Sequence, residues 1–315
     1  MSSQRFQFIA PMPRLVDGGQ AWTRELRRIE DIGFHAVAVS EHYSHGWAMD
    51  ALTAMNFALS ATTRLHVIPL VLNNDLHHPA ALAKAVATAD VLSAGRAAVG
   101  IGAGWLADDY KALGVAYEPA ALRIARLDEA LKVITAFFAH EHVTFHGQHY
   151  QLNDLEALPR PARGSKPLLL VGGGGPMLLD VAARYADIVS IHTRLGPNGF
   201  DQGAAREFTR PSIQEKIGSV VTAATRARRR VPEFQFTCYD VNVGGVQVTP
   251  ARPPFSEYID SHAEFFADSP VSLRGNVDKC VDELVRWKEE LGISYWNLGG
   301  NVTTLAPIIA RLSAE

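Results

Sequence analysis

Ala97-Ala98-Val99-Gly100-Ile101-Gly102-Ala103-Gly104-Trp105 reads as a buried strand that runs out into bare backbone and then meets an indole. Glycine at alternate positions strips the side chains from the strand's end. Such glycines mark a bulge or the close approach of a ligand or another backbone. Alone, the segment fits a flat ligand lying beside Trp105 as well as it fits a strand packed tightly against a helix. The decision comes from the pattern on either side.

Working outward, short apolar runs alternate with helical patterns. The runs are Phe6–Ala10, Ala36–Ser40, Leu65–Leu72, Ala97–Gly102, Leu168–Val171, Asp187–His192, Phe234–Val241 and Ser294–Leu298. Between them fall Trp22–Ile32, with Leu26, Ile29 and Ile32 on one face and Gly33 to close it, and Ala51–Ser60. A third helix opens at Pro79, where the missing N–H costs nothing. Arg123–Phe138, Leu178–Tyr185, Ser212–Arg230, Val277–Glu290 and Thr303–Leu312 continue the series. Eight strands with intervening helices in 315 residues predict an α/β fold, a (β/α)8 TIM barrel with insertion segments. No Pro/Ser linker divides the chain, so one domain over residues 1–315 is expected. The insertions are a hairpin at about 143–152, turning at Gly147-Gln148, and a mobile loop at about 193–211. Pro250–Pro254 reads as a second irregular stretch.

Bulk composition narrows the function classes. The formal net charge of −3 offers no footprint for nucleic acid, and the run Arg226, Arg228-Arg229-Arg230 fits a helix C-terminus. Two isolated cysteines, Cys238 and Cys280, make neither a disulfide framework nor a zinc site and suit a reduced cytoplasm. No stretch approaches the roughly 18 apolar residues of a membrane span, and Met1–Arg5 has no apolar signal core.

A barrel places chemistry at the C-terminal ends of its strands. There the chain carries Ser40-Glu41-His42-Tyr43 with His45 and Trp47, then Leu72-Asn73-Asn74-Asp75, the glycines before Trp105, Gly172-Gly173-Gly174-Gly175-Pro176, and His192. Four glycines between a strand and a helix let backbone N–H groups and the helix N-terminus surround an anion, with phosphate the natural guest. The spacing is neither a dinucleotide fingerprint nor a Walker loop. His42 is the candidate for proton chemistry, and Glu41 faces the other way if the strand persists. His140, His142, His146 and His149 lack converging cysteines or carboxylates and read as a solvated surface, not a metal site. Asp108-Asp109 suits a loop or helix start as well as catalysis. No Gly-x-Ser-x-Gly elbow supports a hydrolase.

Ser40-Glu41-His42, Val71-Leu72-Asn73-Asn74-Asp75 through His78-Pro79, and Asp90-Val91-Leu92-Ser93-Ala94-Gly95-Arg96 leading into the opening glycines carry a resemblance. Gly174-Gly175-Pro176 and Gly275-Asn276-Val277 to Gly292-Ile293-Ser294-Tyr295 extend it over about residues 33–300. The chain resembles the luciferase-like monooxygenase family, in its deazaflavin (coenzyme F420) branch. The resemblance implies a TIM barrel with a flavin or deazaflavin ring in its mouth, over a non-prolyl cis peptide at Leu70-Val71. It implies cofactor contacts from Glu41, Leu70, Val71, Leu72, Asn73, Ala103, Gly104 and Trp105. Phosphate would be held at Gly172, Gly173, Gly174 and Gly175, and His42 would serve proton or hydride chemistry.

Where the family's sugar-phosphate dehydrogenases carry a catalytic glutamate, this chain has Trp105, and residues 193–230 lack an obvious phosphate clamp. Trp47 lies one residue further from His42 than the family's matching tryptophan. The expectation is therefore F420-dependent hydride transfer to or from a small organic molecule. The alternatives are an FMN-dependent monooxygenase fed by a separate reductase and a non-catalytic flavin-binding protein. A positive track leading away from Gly172–Gly175 would favour the long anionic tail of the deazaflavin. The family also suggests a homodimer. The substrate would meet loops 43–50, 105–120 and 193–212.

Overall fold

The computed structural model describes residues 5–15, 18–162, 166–249, 258–259, 261–262 and 266–313. Its central strands are Gln7–Pro11 (β1), Ala36–Val39 (β2), His66–Pro69 with a short continuation Leu72–Asn73 (β3), and Ala98–Gly102 (β4). Leu168–Gly173 (β5), Ile188–Ile191 (β6), Glu233–Thr237 (β7) and Ile293–Asn297 (β8) complete them. All neighbours pair in parallel, from β1 through β2 to β3 in one direction and through β8, β7, β6 and β5 to β4 in the other. Leu72–Asn73 pairs with β4, and Val67 bridges Ala97, so the sheet closes on itself. The architecture is the expected (β/α)8 barrel.

Both faces of this sheet are covered, which is why most of its strands read as continuous apolar runs; β7 alternates, with its buried Gln235 accepting from Ser190 Oγ. Ile9, Ala36, Ala38, Ile68, Ala98, Leu170, Ile188 and Tyr295 pack inside the barrel, while a larger apolar layer lies between strands and helices. Gly100 belongs to the interior. A Cβ there would sit 1.7 Å from the Pro69 carbonyl oxygen, so β3 and β4 can approach only over a glycine.

The helices are Gly18–Ile32 (α1), Ala51–Ala61 (α2), Pro79–Leu92 (α3), Ala107–Leu113 (α4), Ala120–Ala139 (α5) and Pro176–Tyr185 (α6). Gln202–Arg206 (α7), Arg210–Arg226 (α8), Val277–Leu291 (α9) and Val302–Leu312 (α10) follow. Helix starts were set by side chains the periodicity did not weigh. Asp50 caps α2 by accepting from Thr53 N, and Asn276 caps α9 by accepting from Lys279 N.

Three expectations need correction. The stretch 193–211 is not one structureless loop: it holds α7, capped by Asp201, and the first residues of α8. The seventh strand stops at Thr237. After it Tyr239 and Asp240 donate to Val271 O, and Asp240–Val243 joins Val246–Gln247 and Ser272–Gly275 in a separate small sheet. An unbroken apolar run could not show that its second half pairs with a partner about thirty residues on. The hairpin is longer than 143–152, pairing His142–His146 with Gln151–Glu156. The Glu129 carboxylate accepts from Gln148, His149 and Tyr150 N at its turn. Pro250–Pro254 lies outside the described residues. No helix among the described residues is long and apolar enough to cross a membrane.

Candidate active site

The end of β2 sends neighbouring side chains to opposite sides, as an extended backbone requires. The buried Glu41 carboxylate accepts from Asn73 N at 2.7 Å and pairs with His77 Nε2 at 2.8 Å, bracing the end of β3. His42 turns the other way, its Nδ1 lying 2.7 Å from Asp109 Oδ2 on α4. Asp109 also accepts from Tyr43 N at 2.9 Å and Ser44 Oγ at 2.6 Å. Burial pushes its carboxyl upward, but the bonds from Ser44, His42 and Tyr43 outweigh that and hold it below its ordinary range. The rings of Trp47 and Trp105 flank the imidazole, with centroids at 4.9 and 5.5 Å.

The Leu70–Val71 peptide at the end of β3 is cis. Leu70 N donates to Val39 O, and Ser40 Oγ donates to Leu70 O at 2.8 Å, so β2 holds this bulge from one side. Val71 fills the space above Gly102 and Gly172, where added Cβ atoms would meet it at 2.9 and 3.0 Å.

Gly104 has φ +72°, and a Cβ there would meet the Tyr110 hydroxyl at 2.1 Å and Asn73 Oδ1 at 2.5 Å. Tyr110 in turn donates toward Asn73 Oδ1 at 3.2 Å and Asp75 Oδ2 at 3.0 Å. The guanidinium of Arg123, buried in α5, donates to the carbonyls of Ala103 and Gly104 and to Tyr117 OH. Tight packing therefore accounts for Gly100 and Gly104, the reading the segment alone left open. The same packing delivers Ala103 and Trp105 to the barrel mouth.

The glycine turn after β5 obeys the same logic at Gly174, whose Cβ would lie 2.2 Å from His192 O. Gly175 is the N-cap of α6, supplies no capping side chain and lines the mouth, and Pro176 at the first helical position carries no N–H. Arg194 stands beside Gly175, with its Cγ 3.6 Å from where a Cβ would be. Its charge is met by Glu207 at 2.6 Å, and Lys216 binds the same carboxylate at 2.8 Å and donates to His192 O at 2.7 Å.

His192 closes the far wall. Its Nδ1 lies 3.2 Å from Thr193 O and must donate to that carbonyl, so Nε2, 2.7 Å from Tyr239 OH, accepts from the phenol. Burial pushes the imidazole down to about 4, so the ring is neutral at physiological pH.

These strand ends enclose one cavity of about 370 Å³, within the range of small-molecule sites. The expected cofactor and catalytic residues line it, Glu41, His42, Leu70–Asn73, Ala103–Trp105 and Gly172–Gly175, while Tyr43, His45, Trp47, Asn74 and Asp75 stand outside its lining. Residues that sequence reasoning missed are Asp109, Arg123, Thr193, Arg194 and Tyr239 in the wall and His77 behind Glu41. Asp109 was visible as half of an acidic pair that suited a loop or helix start as well as catalysis. His140 is the C-cap of α5, and His142, His146 and His149 lie on the hairpin, where His142 pairs with Asp154 and His146 with Gln151.

Comparison with known proteins follows the same lines. A family described as luciferase-like monooxygenase matches residues 14–226. An F420-dependent glucose-6-phosphate dehydrogenase of Kineococcus radiotolerans is 34% identical over 165 residues, 50% of this chain and 48% of that protein. An FMNH2-dependent dimethylsulfone monooxygenase of Pseudomonas putida is 29% identical over 171 residues, 53% and 47% of the two chains. The chain thus spans about half the length of the curated relatives it matches. Among solved structures, an F420-dependent secondary alcohol dehydrogenase superposes with a TM-score of 0.74 at 18% identity, covering 98% of both chains. A long-chain alkane monooxygenase gives 0.77 at 14% identity, covering 99% of this chain and 92% of that one. These two likenesses confirm the fold.

Proposed function

The chain belongs to the luciferase-like monooxygenase family, and from that premise we propose that it is an oxidoreductase working with bound coenzyme F420, moving hydride to or from a small organic substrate. The observation that carries this reading is the single cavity in which an apolar floor, an uncapped helix N-terminus and a histidine meet. Leu70, Val71 and Leu72 offer a flat apolar bed, and Ala103, Gly104 and Trp105 a side wall. At the other end, the Gly174–Gly175 turn and the first N–H groups of α6 suit a phosphate. A bound deazaflavin would exchange electrons in pairs as hydride, whereas FMN, the alternative, also reacts with oxygen. His42 would hold or return a proton at Nε2, and Trp47 and Trp105 would keep water from it.

One detail refines the proposal. Arg194 and Lys216 share the single Glu207 carboxylate, which leaves one net positive charge beside the glycine turn, where an anionic cofactor tail would gain from it. A second reading, FMN-dependent monooxygenation, rests on the same apolar floor and glycine turn, which would take the ring and phosphate of FMN equally well. A separate reductase would renew the cofactor where it is spent as the reductant; where it takes hydride from the substrate, a separate oxidising partner would. The proposal extends to one domain over residues 1–315, acting as a homodimer in the reduced cytoplasm, a setting that suits the free, buried Cys238 and Cys280.

Anaerobic fluorescence titration with F420 and with FMN, each oxidised and reduced, tests the reading. Micromolar binding of F420 is expected. Binding of FMN alone would replace the first reading by the second, and binding of neither would overturn both.

A further inference from the structure

We propose that Asp109 is a positioning residue that fixes the His42 ring as the Nδ1–H tautomer, leaving Nε2 as the proton-accepting atom of the cavity. This rests on the reading of His42 given above. Asp109 divides its two oxygens between two tasks. Oδ1 takes Tyr43 N and Ser44 Oγ and so anchors the loop after β2. Oδ2 is given to the imidazole at 2.7 Å.

The side chains of both partners are largely buried, at 14% and 5% exposure, so the contact is shielded from competing water. Three donors converge on the carboxylate, and it stands in the first turn of α4, where negative charge is favoured. All of this keeps Asp109 ionised, in line with the downward shift of its carboxyl. An ionised carboxylate only accepts. The ring atom facing it must therefore carry the hydrogen, and a neutral imidazole has only one to give. Nε2 is left with its lone pair, and among the described residues it has no hydrogen-bond partner. The rings of Trp47 and Trp105, with centroids 4.9 and 5.5 Å from the imidazole, crowd a ring flip that would exchange the two nitrogens.

The sense of the chemistry follows. In its resting form His42 takes a proton from a substrate hydroxyl at Nε2, and in its protonated form it returns one to a carbonyl oxygen. Asp109 moves no proton in either sense. It stabilises the charged ring and holds its orientation.

Nitrogen-15 NMR of histidine-labelled protein without cofactor tests this independently of which cofactor binds. The wild type should show His42 with a protonated Nδ1 and a bare Nε2. Asp109→Asn, whose amide can turn its NH2 toward the ring, should convert this to Nε2–H or a mixture. Ser44→Ala, which removes a loop contact and leaves Oδ2 in place, should keep the wild-type form. A wild-type ring protonated on Nε2 overturns the proposal whether or not the variants fold. So does an Asp109→Asn protein that keeps the Nδ1–H form. The F420 and FMN titration stands apart: its failure would remove the redox reading and leave the tautomer assignment intact.

Discussion

Glu41 and His42 are adjacent in the chain yet belong to different machinery. The Glu41 carboxylate is buried against Asn73 N and His77 Nε2, and its part is to hold the bulged end of β3 against β2. Buried charged hydrogen bonds are asymmetric: making them adds little, and spoiling one leaves its partner unsatisfied. Glu41→Gln should therefore lower stability by about 1–3 kcal/mol, read as a fall in the urea midpoint at unchanged slope. Retention of the wild-type midpoint would show that the carboxylate is not needed there. His42 and Asp109 carry the complementary role, a ring held for proton transfer by a group that does not itself react.

At the scale of an element, the turn from β5 into α6 shows why a glycine run needs its surroundings to be understood. Gly174 is closed in by backbone, with His192 O 2.2 Å and the Thr193 carbonyl carbon 2.4 Å from a would-be Cβ. Gly175 has an ordinary φ of −83°, and its nearest neighbour is the flexible Arg194 stem at 3.6 Å. Adjacent substitutions should then diverge. Gly174→Ala should force β5 and β6 apart and cost about 1–3 kcal/mol, as overpacking does. Gly175→Ala should cost less, under about 1 kcal/mol, the ordinary penalty of alanine at an N-cap. Thermal melts of the pair check this, and equal melting temperatures would refute the packing account. The proposed phosphate contact adds a second readout, because a displaced turn should also weaken cofactor binding in Gly174→Ala.

Over the whole molecule, the barrel buries two histidines that must stay neutral. His35, stacked on His66 and edge-on to Tyr295, is pushed down to about 3 by burial and then by His66. His192, on the mouth side, is pushed down to about 4. Both take up a proton more readily in the unfolded chain, near the ordinary value of 6.5. Their effect is therefore absent above that pH, and stability falls as the pH drops from there toward about 4. Each contributes a slope of up to about 1.4 kcal/mol per pH unit. Urea unfolding between neutrality and mild acid should show this decline, and His35→Leu should flatten it. An unchanged slope in that variant would mean that other groups govern acid sensitivity.

The chain by itself determined the eight strands, the helices between them and the clustering of Glu41, His42, Trp105 and Gly172–Gly175 at one end. Periodicity and strand-end position are local properties, written in neighbouring residues. Only the tertiary structure decided why the glycines are there, where the seventh strand stops, and which partners His42 and Glu41 take. Asp109 is 67 residues from His42 and His77 is 36 from Glu41, and their meeting depends on how the barrel closes. Gly100 and Gly104 answer to Pro69, Asn73 and Tyr110 for the same reason: close approach belongs to the pair of segments that meet, and neither segment states it alone.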